Sequence, residues 1–420
     1  MNQWTCVRNG AIINQLSDKG GIGMDFIVSN RMQGIQGSII RELFKLMKDP
    51  NMIAFSGGNP AEETFPSADI AKIIEEVLTS NPATVLQYGL SEGYPLLRET
   101  VKKYIAKEEG IDGQEDELFI VSGGQQAADL TAKVLINEGD VVITEEPAFV
   151  GCLNTFRSYG AKLVGVAMQP DGMDMDLLEK ALKENQNAKM IYTIPNFQNP
   201  TGFTTSAEKR KRIYELARQY NVVILEDNPY GALRFSDEGI RPIKAMDTDG
   251  RVVYAGSFSK VMAPAFRLGY VVFNRALLPQ MTVAKQCTDV HSNLILQYVC
   301  DRYMNQYDFK GHIDENREIY RKKCTLMLDE MEKKFHPSVR FNRPSGGLFV
   351  MSFLPEGMDA FPFVEEGIKR GVACVPGVAF MVDPSKASNG FRMNYSAPTE
   401  EQIVRGVEIL GKLTYEWFQK

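Results

Sequence analysis

The chain has 420 residues, 44% hydrophobic and 24% charged, with a net charge of −6. That length calls for two domains of ordinary size, and that balance is typical of a soluble globular protein. An acidic chain is a poor partner for nucleic acid, which needs clustered basic residues, and no apolar run approaches the ~18 residues of a membrane span.

The opening "MNQWTCVRNG" has neither a basic start nor a following apolar stretch, so secretion is not expected. Cys6, Cys152, Cys287, Cys300, Cys324 and Cys374 lie far apart, as free thiols in the reducing cytoplasm do, and suggest neither disulfides nor a zinc knuckle. With three histidines (His291, His312 and His336), a histidine-rich metal site or a Ser-His-Asp triad is a poor expectation, and no metal is assigned.

In chain order, "RMQGIQGSIIRELFKLMKD" predicts a helix, followed by the turn-rich "IAFSGGNP". Short β-branched runs then recur: "LFIVSGG", "DVVITEEP", "KLVGVAM", "KMIYTIP", "NVVILED", "RVVYAGS" and "RLGYVVF". Segments of helical period separate most of them, such as "QQAADLTAKVLINEG" and "TTSAEKRKRIYELARQY". Thr205 and Glu208 give the latter the spacing of a capping box. Alternation of this kind predicts an α/β fold with a mainly parallel sheet covered by helices on both faces. Beyond it, "DENREIYRKKCTLMLDEMEKKF" and "EEQIVRGVEILGKLTYEWF" read as long amphipathic helices bracketing the shorter strands "GGLFVMSFL", "VACVPG" and "FRMNYS". The expected division is an arm with part of a small domain over 1–64, a large domain over 65–305, and a smaller α+β domain over 306–420.

In an open α/β sheet, ligands bind beyond the carboxyl ends of the strands, so the polar residues ending each run list what faces the crevice. "LFIV" ends in Ser122, Gly123, Gly124 and Gln125 where a helix begins; free N–H groups there suit a phosphate, although an ordinary turn has the same composition. Asn196 and Asn199 flank a Pro/Gly turn and serve either a site or the turn itself. "NVVIL" ends in Glu226, Asp227 and Tyr230, where a carboxylate needs a cation or several donors, as an ion pair or a cap would also supply. "RVVYA" ends in Ser257, Ser259 and Lys260, with Arg267 beyond. A lysine drawn into such a crevice loses hydration and feels Arg267, so its pKa should fall toward neutrality and its amine become a nucleophile. One ligand accounts for the whole set: pyridoxal phosphate.

"QNPTG", "EDNPY", "SFSK" and "FRMNYS", in that order, make the chain resemble the fold-type I pyridoxal-phosphate aminotransferases of class I/II, in particular the 2-aminoadipate/kynurenine branch. The resemblance runs from "GIQGSIIRE" to the C-terminal helix and implies a seven-stranded, mainly parallel sheet. It implies that Lys260 forms the Schiff base and shuttles a proton, that Asp227 holds the ring nitrogen protonated, and that Asn199 and Tyr230 bond the phenolic oxygen. Gly124, Gln125, Ser257, Ser259 and Arg267 would hold the phosphate. Phe149 would stack on the ring, where many relatives have tyrosine. Arg392 would grip the substrate α-carboxylate, with Asn199 beside it and the Gly58 backbone against the substrate. Tyr88 would reach the phosphate of a neighbouring subunit, and His291 and Ser292 would lie across the same homodimer interface. Gln36 falls where the branch can carry an arginine for the distal carboxylate, while Arg31 and Arg41 lie several residues away. A neutral side chain there favours apolar or aromatic donors over 2-aminoadipate. The implied activity is transfer of an amino group from an L-amino acid to a 2-oxo acid such as 2-oxoglutarate, by a ping-pong mechanism. A C–S β-lyase or decarboxylase shares these residues, and a ligand-sensing domain shares the fold.

Overall fold

The computed structural model describes residues 27–33, 35, 51–236 and 238–419. The strands, in chain order, are Ile53–Ala54 (β1), Asp116–Val121 (β2), Val141–Glu146 (β3), Lys162–Gln169 (β4), Gly172–Met173 (β5), Ala188–Thr193 (β6), Val223–Asn228 (β7), Val252–Ser257 (β8) and Gly269–Asn274 (β9). Arg340–Phe341 (β10), Phe349–Phe353 (β11), Val372–Ala373 (β12), Val375–Pro376 (β13) and Gly390–Asn394 (β14) follow. The helices that bear on the site or its frame are Gly124–Leu135 (α1), Val150–Ser158 (α2), Ala207–Gln219 (α3), Leu278–Gln286 (α4), Phe309–Lys334 (α5) and Glu400–Phe418 (α6).

The large sheet has the order β2-β9-β8-β7-β6-β3-β4-β5. Strands β8, β7, β6, β3 and β4 are parallel. β9 runs antiparallel to both β2 and β8, and β5 adds two residues antiparallel to β4. The seven apolar runs are thus seven long strands, and β5 is too short to show a pattern. From β3 the chain moves outward to β4, whereas from β6 it moves the other way through β7 and β8. That reversal opens a crevice at the carboxyl ends of the strands.

Side chains alternate across each strand, so one strand feeds two cores. Val141, Ile143, Ile191 and Ile224 pack with Ile213 and Leu216 of α3 in one cluster. Val142, Met190, Tyr192 and Leu225 belong to the other, which continues into Leu328 of α5 and Leu410 of α6. A second sheet, β10-β11-β14-β13, is antiparallel, and β1 pairs with β12 through Ile53 and Val372.

Two sequence expectations need correction. The N-cap of α3 is Ser206, whose side chain accepts from the Lys209 N–H, and not Thr205. Thr205 is buried; its N–H donates to the Pro195 carbonyl at 2.8 Å. Glu226 does not face the crevice. Alternation turns it to the opposite face from Asp227, where it is buried and accepts from the N–H groups of Ile243 (2.9 Å) and Lys244 (2.8 Å). Of the first predicted helix, Asn30–Gln33 is helical; Gly34, Gln36 and Arg41 lie outside the described residues. Among the described residues no helix is long and apolar enough to cross a membrane.

Candidate active site

The carboxyl ends of β2, β3, β6, β7 and β8 meet the second sheet around one cavity of about 300 Å³. Gly124 and Gln125 border it from the start of α1, Phe149 from the turn after β3, and Asn199 from the loop after β6. Asp227 comes from β7 and Tyr230 from the turn just after it, and Ser257, Ser259, Lys260 and Arg267 from β8 and the turn that follows. Arg392 on β14 and Gly58 close the opposite side. Tyr88 is 81% exposed and stands away from this cavity, its ring edge-on to His291 at 5.9 Å. Gln36 falls on residues not described.

Lys260 follows β8 at the cavity wall, and its ammonium donates to the Gly58 carbonyl at 2.8 Å. Burial, then the nearby positive charges of Arg267 and Arg392, push its pKa down to about 8. This is the shift expected for a nucleophilic amine, with Arg392 as a second cation that the sequence did not suggest. Asp227 behaves in the opposite sense: burial raises its carboxyl to about 6, although a hydrogen bond from Tyr192 opposes the rise. A carboxylate held this deep in protein favours a cationic partner.

Arg392 is 2% exposed. Its guanidinium lies between the rings of Phe349 (4.2 Å) and Phe380 (5.0 Å), and it donates to Asn199 Oδ1 and to the Ser56 carbonyl, both at 2.7 Å. Burial lowers its pKa to about 10, so it remains a cation at neutral pH. Its Nε is buried without a hydrogen-bond partner. Burial drives the pKa of Tyr230 upward, so its hydroxyl keeps its proton beside Arg392 and Asn199.

The turn from β2 into α1 has the shape of an anion cradle. Gly123 has φ +82°, and a Cβ there would approach Arg267 Nη2 to 2.8 Å, so only glycine lets the guanidinium close over the turn. The Ser257 hydroxyl accepts from the Ser259 N–H at 3.1 Å across the cavity floor. The Gln125 side chain turns away to Thr155 and the Gly151 carbonyl, leaving the helix N-terminus to face the cavity. Gly151 keeps room for Phe149, since a Cβ at Gly151 would lie 2.6 Å from that ring.

These features fit a flat, phosphorylated, cationic-ring aldehyde. The cradle suits the phosphate, Asp227 the ring nitrogen, Phe149 the ring face, and Lys260 the aldehyde carbon. Among the described residues no cluster of His, Cys, Asp or Glu is placed to hold a metal. Sequence reasoning missed Tyr192, Phe349, Asn59 and Ile194. Asn59 and Ile194 simply line the cavity, Phe349 also lies against the Arg392 guanidinium, and nothing local marks any of the three. Tyr192 carries one usable signal: a tyrosine inside a buried strand must find a partner for its hydroxyl.

Fold and cavity together define a fold-type I pyridoxal-phosphate-dependent transferase. The chain belongs to the family described as aminotransferase class I and II, whose pattern matches residues 50–410, and it is a pyridoxal-phosphate-dependent aminotransferase. It is 38% identical over 396 residues to aromatic-amino-acid aminotransferase 1 of Thermococcus litoralis, covering 93% of this chain and 95% of that one. It is 34% identical to the 2-aminoadipate transaminase of Thermus thermophilus, covering 90% and 94%. Among solved structures, the kynurenine aminotransferase of Pyrococcus horikoshii in complex with PMP is similar with a TM-score of 0.90 at 36% identity, covering 94% of this chain and 98% of that one.

Proposed function

We propose that this aminotransferase moves the amino group of an apolar or aromatic L-amino acid to a 2-oxo acid such as 2-oxoglutarate, in a ping-pong sequence. The observation that carries the reading is one lysine amine near neutrality facing one buried guanidinium across a single cavity, Lys260 and Arg392. When bound, pyridoxal phosphate supplies an aldehyde for the amino group and a ring that draws charge from the substrate Cα. Lys260 holds the cofactor through Nζ and, once free, carries a proton from and to the substrate Cα. Its neutral fraction at physiological pH comes from burial and the two arginines. Asp227 keeps a proton on the ring nitrogen; Asn199 and Tyr230 bond the ring oxygen; Phe149 covers one ring face. Gly124, Gln125, Ser257, Ser259 and Arg267 hold the phosphate. Arg392 takes the substrate α-carboxylate, a bidentate task for a planar guanidinium, while Asn199 fixes its orientation and the bare backbone at Gly58 leaves room for the substrate.

Donor choice follows from charge. Arg267 and Arg392 are the guanidinium groups among the described cavity residues. With a phosphate and an α-carboxylate to serve, neither is left for a distal carboxylate, and Gln36 is neutral, so a dicarboxylate, 2-aminoadipate and 2-oxoglutarate alike, is held there without an ionic partner, whereas an apolar or aromatic donor needs none. The name of the Thermococcus litoralis relative points the same way. We further propose a homodimer in which Tyr88 of each chain completes the other's phosphate site, and a cytoplasmic location, supported by the free thiols of the described cysteines.

The test follows the cofactor absorbance of the holoenzyme as amino acids, then 2-oxo acids, are added. Phenylalanine or leucine should bleach the resting band, and a 2-oxo acid should restore it. A half-reaction with 2-aminoadipate tenfold faster than with both overturns the donor assignment. A band that no 2-oxo acid restores overturns transamination; pyruvate and ammonia accumulating from an added cysteine S-conjugate would mark a C–S β-lyase instead.

A further inference from the structure

We propose that Tyr192 is a positioning residue that fixes which oxygen of Asp227 faces the cofactor and keeps that carboxylate ionised. The inference rests on the reading of Asp227 as the partner of the ring nitrogen. Tyr192 lies on β6 opposite Leu225 of β7, so Asp227, two residues on, is its diagonal neighbour on the same face of the sheet. The tyrosine is fully buried, and its hydroxyl donates to Asp227 Oδ2 at 3.0 Å. Oδ1 turns the other way, toward Gly124 at the cavity wall, where a Cβ on that glycine would lie 3.5 Å from it.

Cys152 of α2 is buried near the Tyr192 hydroxyl, and burial raises its pKa, so it keeps its proton and adds no competing charge there. Phe156 packs its ring against Tyr192, centroids 5.4 Å apart at 69°, and so restrains the tyrosine ring.

The other titratable groups around Asp227 do not substitute for this contact. Glu145 on β3 is a like charge that Asp227 itself disfavours; its oxygens accept from Thr193, Ile194 and Gln198. Burial keeps Tyr230 protonated, and Lys260 donates to the Gly58 carbonyl. Arg392 is committed to Asn199 and Ser56. Tyr192 is therefore the side chain whose hydrogen bond favours the charged form of Asp227.

The experiment measures pyridoxal-phosphate affinity of the apoprotein by spectral titration from pH 5 to 8.5, in wild type, Tyr192→Phe and Asp227→Asn. In wild type, affinity should fall with decreasing pH as Asp227 takes up a proton, and Asp227→Asn should lack that step. Tyr192→Phe should keep the step but move its midpoint to higher pH, with affinity at pH 7 reduced about ten- to hundredfold, as loss of a charge-assisted hydrogen bond requires. If Tyr192→Phe leaves the midpoint in place while Asp227→Asn abolishes the step, Tyr192 is only a packing residue and the proposal fails. If the step survives in Asp227→Asn, the assignment of Asp227 itself falls, and this inference with it.

Discussion

Asp227 carries its charge at a cost to the fold. Burial raises its carboxyl from the ordinary 3.8 to about 6. A folded-state pKa above the unfolded one means the contribution to stability is most favourable below pH 3.8 and is lost as pH rises toward 6. Above that the cost is complete, about 3 kcal/mol for roughly two pKa units. Asp227→Asn removes this cost while keeping an acceptor for Tyr192. The apoprotein of that variant should therefore melt higher than wild type at pH 7.5 and lose the advantage near pH 4, while the holoenzyme loses activity by orders of magnitude. Equal melting temperatures at pH 7.5 would contradict a buried ionised Asp227. Lys260 and Asp227 were legible in the sequence because each is a charged residue close behind an apolar run, where a strand end must present it to a crevice. Tyr192 was not, because a tyrosine within such a run reads as core; only its hydrogen bond to Asp227 distinguishes it. Glu226 was misread because a pair of carboxylates at a strand end does not say which one alternation turns inward.

At the scale of elements, the turn between β2 and α1 decides whether a phosphate can dock. Gly123 holds φ +82° with ψ 170°, a region essentially reserved for glycine, and a Cβ there would lie 2.8 Å from Arg267 Nη2, whereas a Cβ on Gly124 meets only Asp227 Oδ1 at an ordinary 3.5 Å. Gly123→Ala should thus cost about 1–3 kcal/mol in backbone strain and also displace the guanidinium. We expect cofactor affinity to drop at least tenfold and the melting temperature of the apoprotein to fall. Gly124→Ala should affect the apoprotein less, and thermal melts of the two variants side by side check the contrast. Strand and helix positions were readable because buried parallel strands are continuous β-branched runs and the intervening helices are amphipathic. The cap of α3 was one residue off. Thr205 and Ser206 both suit an N-cap; Thr205 is buried, and its N–H is bound to the Pro195 carbonyl.

At the scale of the whole molecule, two separate sheets are joined by the segment 55–59. The Phe55 carbonyl accepts from Asn394 of β14, the Ser56 carbonyl accepts from Arg392, and the Gly58 carbonyl accepts from Lys260. This bridge links the cofactor lysine to the substrate arginine. No local pattern could announce it, since its partners lie some 200 to 340 residues away. We propose that the chain divides near residues 64 and 305, in line with the two sheets. What the single chain does not explain is the surface around Tyr88: Leu86, Tyr88, Leu90 and Val290 are all exposed. Val290 holds a left-handed φ of 65°, strained for a β-branched residue, beside His291, which meets Tyr88.

An exposed apolar cluster of this kind suits a two-fold interface, which would carry Tyr88 of one chain toward the cavity of the other. Sedimentation should show a dimer, and Tyr88→Ala should weaken pyridoxal-phosphate binding although Tyr88 stands away from its own chain's cavity. The decisive measurement mixes two defective proteins. Lys260→Ala chains lack the nucleophile but keep Tyr88; Tyr88→Ala chains keep Lys260 but deprive a partner of the tyrosine. In a hybrid dimer the site built on the intact Lys260 receives Tyr88 from the other chain and is wholly native. Titrating Tyr88→Ala protein with excess Lys260→Ala protein, after subunit exchange, should raise cofactor affinity per intact lysine to the wild-type value. If the dimer forms and affinity does not recover, Tyr88 acts within its own chain and the shared-site reading is wrong.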